Sequence, residues 1–130
     1  MSPDLRILVV DDFSTMRRII ANLLGELGFT EITLAASASE ARQILNREPF
    51  DLVVSDWNMP EMTGLDLLKA IRADAQLKML PVLLVTAEAK KQQILDAAHA
   101  GVNGYIIKPF SAEILDEKIR RIFKRIEDVA

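Results

Sequence analysis

Five residues with chemically useful side chains stand at the ends of separate apolar runs. Asp11 and Asp12 follow ILVV, Asp56 follows DLVVS, Thr86 follows PVLLV and Lys108 follows GYII. In an open parallel sheet, residues just beyond the carboxyl ends of the strands meet at one edge, however far apart they lie in sequence. The pattern therefore predicts one cleft that holds three carboxylates, a hydroxyl and an ammonium.

Carboxylates crowded into one cleft repel one another and raise one another's pKa unless positive charge neutralises them. Lys108 can supply one such charge. Hard oxygen ligands without an accompanying His or Cys suit Mg²⁺, which keeps several waters open to phosphate. The predicted chemistry is phosphoryl transfer, in which a protein mainly positions groups and neutralises charge.

Asp56 is the predicted nucleophile, because it stands alone at its strand end. Asp11 and Asp12 are placed to hold the metal. Thr86 and Lys108 are then expected to bind phosphoryl oxygens.

Five strand–helix units are expected to position these residues. Short runs rich in Val, Ile and Leu alternate with longer segments whose apolar residues recur every three or four positions, a pattern typical of a parallel sheet covered by helices. The predicted strands are residues 7–10, 32–35, 52–55, 82–85 and 105–107.

The predicted helices follow these runs. Gly28 is expected to end the first helix, and the fourth is expected from about residue 88 to 100. In the last helix the residues expected to face inward are Leu115, Ile119, Ile122 and Ile126. Its acidic residues Asp116 and Glu117 lie four positions before Arg120 and Arg121, a spacing that favours ion pairs on a solvated face.

The first, third and fourth runs are apolar on consecutive residues, as strands covered on both faces are. They are predicted to be central, and the mixed second run and short fifth run to be the edges. The predicted fold is α/β, a flavodoxin-like (βα)5 doubly wound architecture with a five-stranded parallel sheet of order 2-1-3-4-5 and helices on both faces. Asp11, Asp12 and Asp56 then lie where the strand order reverses.

Composition limits the remaining possibilities. The chain has 130 residues, half of them hydrophobic, and is expected to form one domain over 1–130. Without cysteines, a membrane-length apolar run or a leader, it is expected to be cytoplasmic with no membrane insertion. It is also expected to be a monomer. A net charge of −3 gives no basic footprint for nucleic acid. His99 has no second soft ligand and is expected on a helix surface.

Four segments, VVDDFSTMRRI, VSDWNMPEMTG, PVLLVTAEAKK and GYIIKPF, resemble the marker segments of response-regulator receiver domains of the single-domain chemotaxis type. The resemblance covers nearly the whole chain. It implies that Asp56 accepts a phosphoryl group from a chemotaxis histidine kinase. It also implies that Asp12, Asp56 and the backbone carbonyl of Asn58 ligate Mg²⁺, with Asp11 assisting through water.

The resemblance further implies a conformational switch. Thr86 and Lys108 match residues that rearrange around the phosphoryl group, and Tyr105 matches a ring that swings inward when the threonine moves. In chemotaxis proteins the surface changed in this way binds the flagellar motor switch. The lysines expected near the ring on that surface are Lys90, Lys91 and Lys118.

Asn58 and Glu88 match positions that tune phosphoryl lifetime, which is expected to be short, and a dedicated phosphatase is a further candidate partner. The Lys108–Pro109 bond matches one that is cis in the family. Two residues depart from the usual pattern: Thr63 stands where many receivers have Asp, and Ala38 replaces a common glycine. Thr63 is still expected to cap the following helix.

Plainer interpretations exist for each residue. Asp11 and Asp12 could cap the first helix, and Asp56 could belong to an ordinary turn. Thr86, Lys108 and Tyr105 could be, in order, a strand-end residue, a solvated charge and a half-buried ring. Their joint placement at strand ends favours the functional interpretation.

Other functions remain as alternatives. A haloacid-dehalogenase-type phosphatase uses DxDx[TV] after its first strand, where this chain has DDFST and no cap insertion. A flavin- or dinucleotide-binding domain needs a Gly-rich or hydroxyl-rich turn there, and acidic residues would repel phosphate. A stand-alone receiver in a phosphorelay or non-flagellar pathway is the nearest alternative.

Overall fold

A five-stranded parallel sheet lies between two layers of helices. A computed structural model describes residues 3–129, so residues 1, 2 and 130 of the predicted domain lie outside it. The elements are β1 (Arg6–Val10), α1 (Ser14–Glu26), β2 (Glu31–Ala35), α2 (Ala38–Arg47), β3 (Leu52–Asp56), α3 (Gly64–Ala73), β4 (Val82–Thr86), α4 (Lys91–His99), β5 (Gly104–Ile107) and α5 (Ala112–Val129). The strand order is β2-β1-β3-β4-β5, which confirms the predicted topology.

The sheet separates two hydrophobic cores because neighbouring residues of a strand point to opposite faces. Leu8 and Val53 face the core shared with α2, α3 and α4. Val9 and Val54 face the core shared with α1 and α5. All residues of β3 and β4 are buried, which explains their continuous apolar runs, whereas the edge strands β2 and β5 are partly exposed.

Helix ends follow local signals in the sequence. Gly28, with φ of 97°, follows the end of α1 as predicted. Thr63 caps α3: its hydroxyl accepts from the Asp66 N–H, and the Asp66 carboxylate accepts from the Thr63 N–H, each at 3.1 Å. The expected cap at Thr63 is therefore confirmed. Ala38, the other departure from the family pattern, opens α2.

Two details of the predicted helices are wrong. α4 begins at Lys91, not near residue 88, because the Thr86 hydroxyl donates to the Glu88 carbonyl at 2.8 Å and local bonding of this kind competes with helix formation. Ile126 was expected inward but is 36% exposed. The 18 residues of α5 span about 27 Å, whereas a five-residue strand spans about 17 Å, so the last turns of α5 extend beyond the sheet.

The surface of the last helix carries the expected ion pairs. Arg120 lies 2.8 Å from Asp116, and Arg121 lies 2.7 Å from Glu117. His99 is exposed at the end of α4. Among the helices of residues 3–129, none has the length and hydrophobicity needed to cross a membrane.

A half-buried guanidinium ties two connecting loops to α3. Arg72 donates from Nε to the Gly101 carbonyl at 3.0 Å and from Nη2 to the Asn103 Oδ1 at 2.7 Å. Its Nη1 donates to the carbonyls of Leu80 and Lys78, at 2.6 and 3.2 Å. All four acceptors are neutral oxygens, and desolvation lowers the pKa of Arg72. This side chain therefore fixes the loops that precede β4 and β5.

Replacing Arg72 by methionine is expected to lower the free energy of unfolding by about 2 kcal/mol, because partly buried carbonyls lose their donors. Denaturant unfolding measures the change. Lys69→Met, at an exposed position on the same helix, is the matched control and is expected to stay within about 0.5 kcal/mol of the parent. Equal losses in the two variants would show that the hydrogen bonds of Arg72 do not support the fold.

Candidate functional site

The three predicted carboxylates lie together at one end of the sheet. Asp11 and Asp12 directly follow β1, and Asp56 ends the neighbouring strand β3. One oxygen atom from each residue lies within 4.8 Å of the other two. Asp11 and Asp56 are buried, and Asp12 is exposed. The strand order thus places acidic residues from distant parts of the sequence in one group.

Lys108 reaches this group from the edge of the sheet formed by β5. It follows β5, two strands away from β3, which is roughly 10 Å at ordinary strand spacing. Its Nζ lies 3.1 Å from Asp56 Oδ1. The Lys108 N–H donates to the Thr86 carbonyl at 2.8 Å, and the Lys108–Pro109 peptide bond is cis. A long side chain is needed here, because a shorter one directly after β5 could not reach across β4 to Asp56.

Only one of the two oxygens of the buried Asp11 carboxylate accepts a hydrogen bond from the described residues. Its Oδ1 accepts from the Phe13 N–H at 2.9 Å, while its Oδ2 has no hydrogen-bond partner among the described residues. Burial raises the pKa of Asp11, and the nearby Asp56 and Asp12 raise it further. The Phe13 hydrogen bond and the Lys108 charge act in the opposite direction. Asp11 therefore carries a charge that the fold alone does not stabilise fully.

This arrangement fits a hard divalent cation. The donor atoms are carboxylate oxygens only, and Asp11 Oδ2 is buried without a hydrogen-bond partner in residues 3–129. Such a set suits Mg²⁺ better than the metals that favour sulfur or imidazole. Asp11, Asp12 and Asp56 are the residues that would hold it. Asn58 is exposed in the loop after β3, two residues beyond Asp56, and the role of its carbonyl remains a prediction.

The plainer interpretation of Asp11 and Asp12 as helix caps is not what the structure shows. The residue that caps α1 is Phe13, and it makes no side-chain cap hydrogen bond. Asp11 instead bonds the N–H of Phe13 itself.

Thr86 ends β4, the strand next to β3, and Tyr105 lies on the edge strand β5. Thr86 is buried at the end of β4, and its hydroxyl is engaged by the Glu88 carbonyl. Tyr105 is half-buried on β5, and both residues line a small cavity under α4 together with Trp57. The Thr86 side chain and the Tyr105 ring therefore share the wall of one cavity.

Of the three predicted lysines, one lies against this ring. The Lys118 ammonium lies 5.5 Å from the centre of the Tyr105 ring, within the range of a cation–π contact. Lys90 pairs with Glu88 at 3.3 Å, and both side chains are largely exposed. Lys91 is exposed at the start of α4. The roles assigned to these residues remain predictions.

Two residues that support the site were not predicted from the sequence. Arg17 donates to the Asp11 carbonyl at 2.7 Å, and no sequence signal separates it from its neighbour Arg18. Gly64 donates to the Trp57 carbonyl at 2.8 Å, and a Cβ at this position would collide with the Asp56 carbonyl. A glycine at the start of a helix, where a side chain is usually tolerated, was the available signal for this close approach.

The sequence matches the response regulator receiver domain family over residues 7–120. The chain belongs to this family. Its curated relatives include the chemotaxis protein CheY of Pseudomonas aeruginosa, which is 61% identical over 122 residues, covering 94% of this chain and 98% of that protein. The chemotaxis protein CheY-3 of Vibrio cholerae is 57% identical over 126 residues, covering 97% of each chain.

Solved structures agree with this assignment. The chemotaxis response regulator CheY4 of Vibrio cholerae superposes with a TM-score of 0.84 at 33% identity, covering 92% of this chain and 98% of that one. The receiver domain is therefore CheY-like in both sequence and fold.

Asp11→Asn is expected to stabilise the metal-free receiver at neutral pH by about 1 kcal/mol, or roughly 4 °C in Tm, because it removes a poorly stabilised buried charge. The raised pKa of Asp11 means that the folded state takes up a proton before the unfolded chain does. The advantage of the variant should therefore shrink as pH falls from the raised pKa towards 3.8. Thermal unfolding in a chelator across this pH range measures it.

Added Mg²⁺ should raise the Tm of the parent more than that of Asp11→Asn, because ligand binding to the folded state stabilises it. A variant that is less stable than the parent without metal would show that the Asp11 charge is not a cost to the fold.

Gly64→Ala is expected to displace the Asp56 backbone, lowering stability by about 2 kcal/mol and weakening Mg²⁺ binding at least several-fold. Gly25→Ala is the matched control: its position lies inside α1, has no atom near an added Cβ, and should gain about 0.5–1 kcal/mol. Unfolding and Mg²⁺ titrations measure both. Unchanged metal binding in Gly64→Ala would show that this contact does not position Asp56.

Proposed function

We propose that this receiver is a chemotaxis response regulator. Asp56 accepts a phosphoryl group from a histidine kinase in a Mg²⁺-dependent reaction, and the phosphorylated form binds the flagellar motor switch. The observation that carries the proposal is the group of three carboxylates within 4.8 Å, with the Lys108 ammonium 3.1 Å from Asp56. The receiver family match and the CheY relatives support the chemotaxis role.

In the proposed transfer, a carboxylate oxygen of Asp56 attacks the phosphorus of a phosphohistidine. The phosphorus–nitrogen bond breaks, and the imidazole leaves with its electron pair and takes a proton from solvent. Lys108 neutralises negative charge on the phosphoryl oxygens. Asp12, Asp56 and the Asn58 carbonyl, with Asp11 assisting through water, would hold Mg²⁺, which would supply further charge neutralisation when bound.

The phosphoryl group then changes the surface in two steps. Thr86 gives up its hydrogen bond to the Glu88 carbonyl and donates to a phosphoryl oxygen. The Tyr105 ring turns inward into the space that Thr86 leaves, because the cavity there is only about 10 Å³ and cannot accept a ring beforehand. The altered surface carries Lys90, Lys91 and Lys118, whose charge suits an acidic partner segment.

A receiver of this type is a signalling switch and not a conventional enzyme. We propose that it catalyses only its own phosphorylation and dephosphorylation, with Asn58 and Glu88 setting the phosphoryl lifetime. We further propose that residues 1–130 form one receiver domain that acts as a cytoplasmic monomer. A dedicated phosphatase is a candidate partner.

The second candidate function differs only in the output. A stand-alone receiver in a phosphorelay, or one with a non-flagellar target, would use the same carboxylates and the same switch.

A groove of about 600 Å³ lies at the amino ends of β3 and β4, away from the carboxylates, and is lined by residues such as Phe50 and Pro81. It contains none of the residues proposed for phosphoryl transfer.

Trp57 fluorescence tests the proposed chemistry. This residue is the only tryptophan, adjoins Asp56 and is 8% exposed. Mg²⁺ is expected to change its emission, and acetyl phosphate should then cause a reversible second change together with a phosphoryl adduct in the intact mass. Asp56→Asn should lose the adduct and the second change completely.

If neither Mg²⁺ nor acetyl phosphate changes the Trp57 emission and no adduct forms, the carboxylates are structural and the proposal is wrong.

The binding of the motor switch is tested separately, by titrating the receiver with the motor switch protein of the same organism. The phosphorylated receiver should bind it about tenfold or more tightly than the unmodified one. Equal affinities would favour the non-flagellar alternative.

A further inference from the structure

A residue on the wall of the cavity beside Tyr105 carries a buried hydrogen-bond acceptor that has no partner among the described residues. Gln93 of α4 lines this cavity together with Trp57, Thr86, Ala97 and Tyr105. Its side-chain oxygen Oε1 is buried and forms no hydrogen bond to any residue that the structure describes. A buried acceptor in this state costs free energy, and most such atoms in folded proteins are satisfied.

Water does not readily satisfy this oxygen. The cavity volume of about 10 Å³ is close to the minimum that a single water molecule needs. A bound water also needs several polar partners, and the rest of the wall is largely apolar. The acceptor is therefore best matched by a donor from the protein.

Two residues on the cavity wall carry hydroxyl groups. Thr86 is already engaged, because its hydroxyl donates to the Glu88 carbonyl at 2.8 Å. In the proposed switch it then turns towards the phosphoryl group, away from α4. Tyr105 carries the other hydroxyl, and the proposed motion brings its ring into this cavity.

We propose that Gln93 is a positioning residue of the switch, whose Oε1 accepts a hydrogen bond from the Tyr105 hydroxyl when the ring turns inward. The inference rests on the proposed function and deepens it. An interaction present in only one of two conformations shifts the balance towards that conformation. Since Gln93 lies on α4, the bond would also join β5 directly to α4 and carry the ring movement to the surface of that helix.

The experiment uses the fact that Tyr105 is the only tyrosine in the chain. Ring-labelled tyrosine then gives NMR signals from one ring, recorded with and without Mg²⁺ and beryllofluoride as a phosphoryl mimic. Gln93→Met keeps the side-chain length and removes the acceptor. Gln92→Met is the matched control, since Gln92 is exposed and its amide donates to Asp96 at 2.8 Å.

The parent and Gln92→Met are expected to shift alike to the inward ring signal. Gln93→Met should show an inward-to-outward ratio about fivefold lower, the size expected for one lost hydrogen bond. Adduct formation with acetyl phosphate, measured by intact mass, should be the same in all three proteins. A lower inward ratio together with normal adduct formation would show that Gln93 positions the ring and does not take part in phosphoryl transfer.

Resting stability distinguishes this role from a purely structural one. Gln93→Met should be at least as stable to heat as the parent without phosphoryl mimic, because the substitution removes an unsatisfied acceptor. A destabilised variant with a normal inward ratio would overturn the inference. So would an inward ratio equal to that of the parent, even though the proposed function would stand if the adduct forms. Failure of the parent itself to form an adduct would overturn both.

Discussion

The site depends on one interaction, the electrostatic repulsion among the carboxylates at the ends of β1 and β3. The strand order makes these ends neighbours, and burial strengthens the repulsion because the dielectric is lower than in water. Lys108 crosses the width of β4 to relieve part of it. The unpartnered oxygen of Asp11 leaves part of it unrelieved. Apolar residues there would give a more stable fold, so the retained carboxylate charge is available to bind a cation.

Rigid and adjustable parts of this end of the sheet are separate. β3 and β4 are buried throughout, and the close approach of Gly64 to the Asp56 carbonyl fixes the backbone of the central carboxylate. The segment between β4 and α4 has weaker support. It depends on the Thr86 hydroxyl and on an exposed pair between Glu88 and Lys90, a kind of contact worth only about 0.2–1 kcal/mol. This segment is therefore held less firmly than the strands beside it.

The sequence was sufficient to predict the topology, because runs of consecutive apolar residues mark strands covered on both faces, and the residues after them mark one edge. It placed Asp11, Asp56 and Lys108 together for the same reason. It could not give the start of α4, because the competing hydrogen bonds of Thr86 depend on side-chain geometry. The hydrogen bonds of Arg72 and the position of Gln93 on the cavity wall could not be predicted either. Both depend on how separate segments pack against each other, and the apolar periodicity of one segment does not encode that packing.

The contact between Lys118 and Tyr105 gives the surface an electrical property as well as a shape. The ammonium lies over the negative face of the ring at 5.5 Å. If the ring turns inward, that cation loses its aromatic partner while its charge stays at the surface, and the local potential becomes more positive. Dissolved salt screens this difference in potential, so it would act on a binding partner only within about one Debye length, about 8 Å at physiological ionic strength. The two states of such a receiver would then be distinguished less sharply in concentrated salt, even where their shapes differ fully.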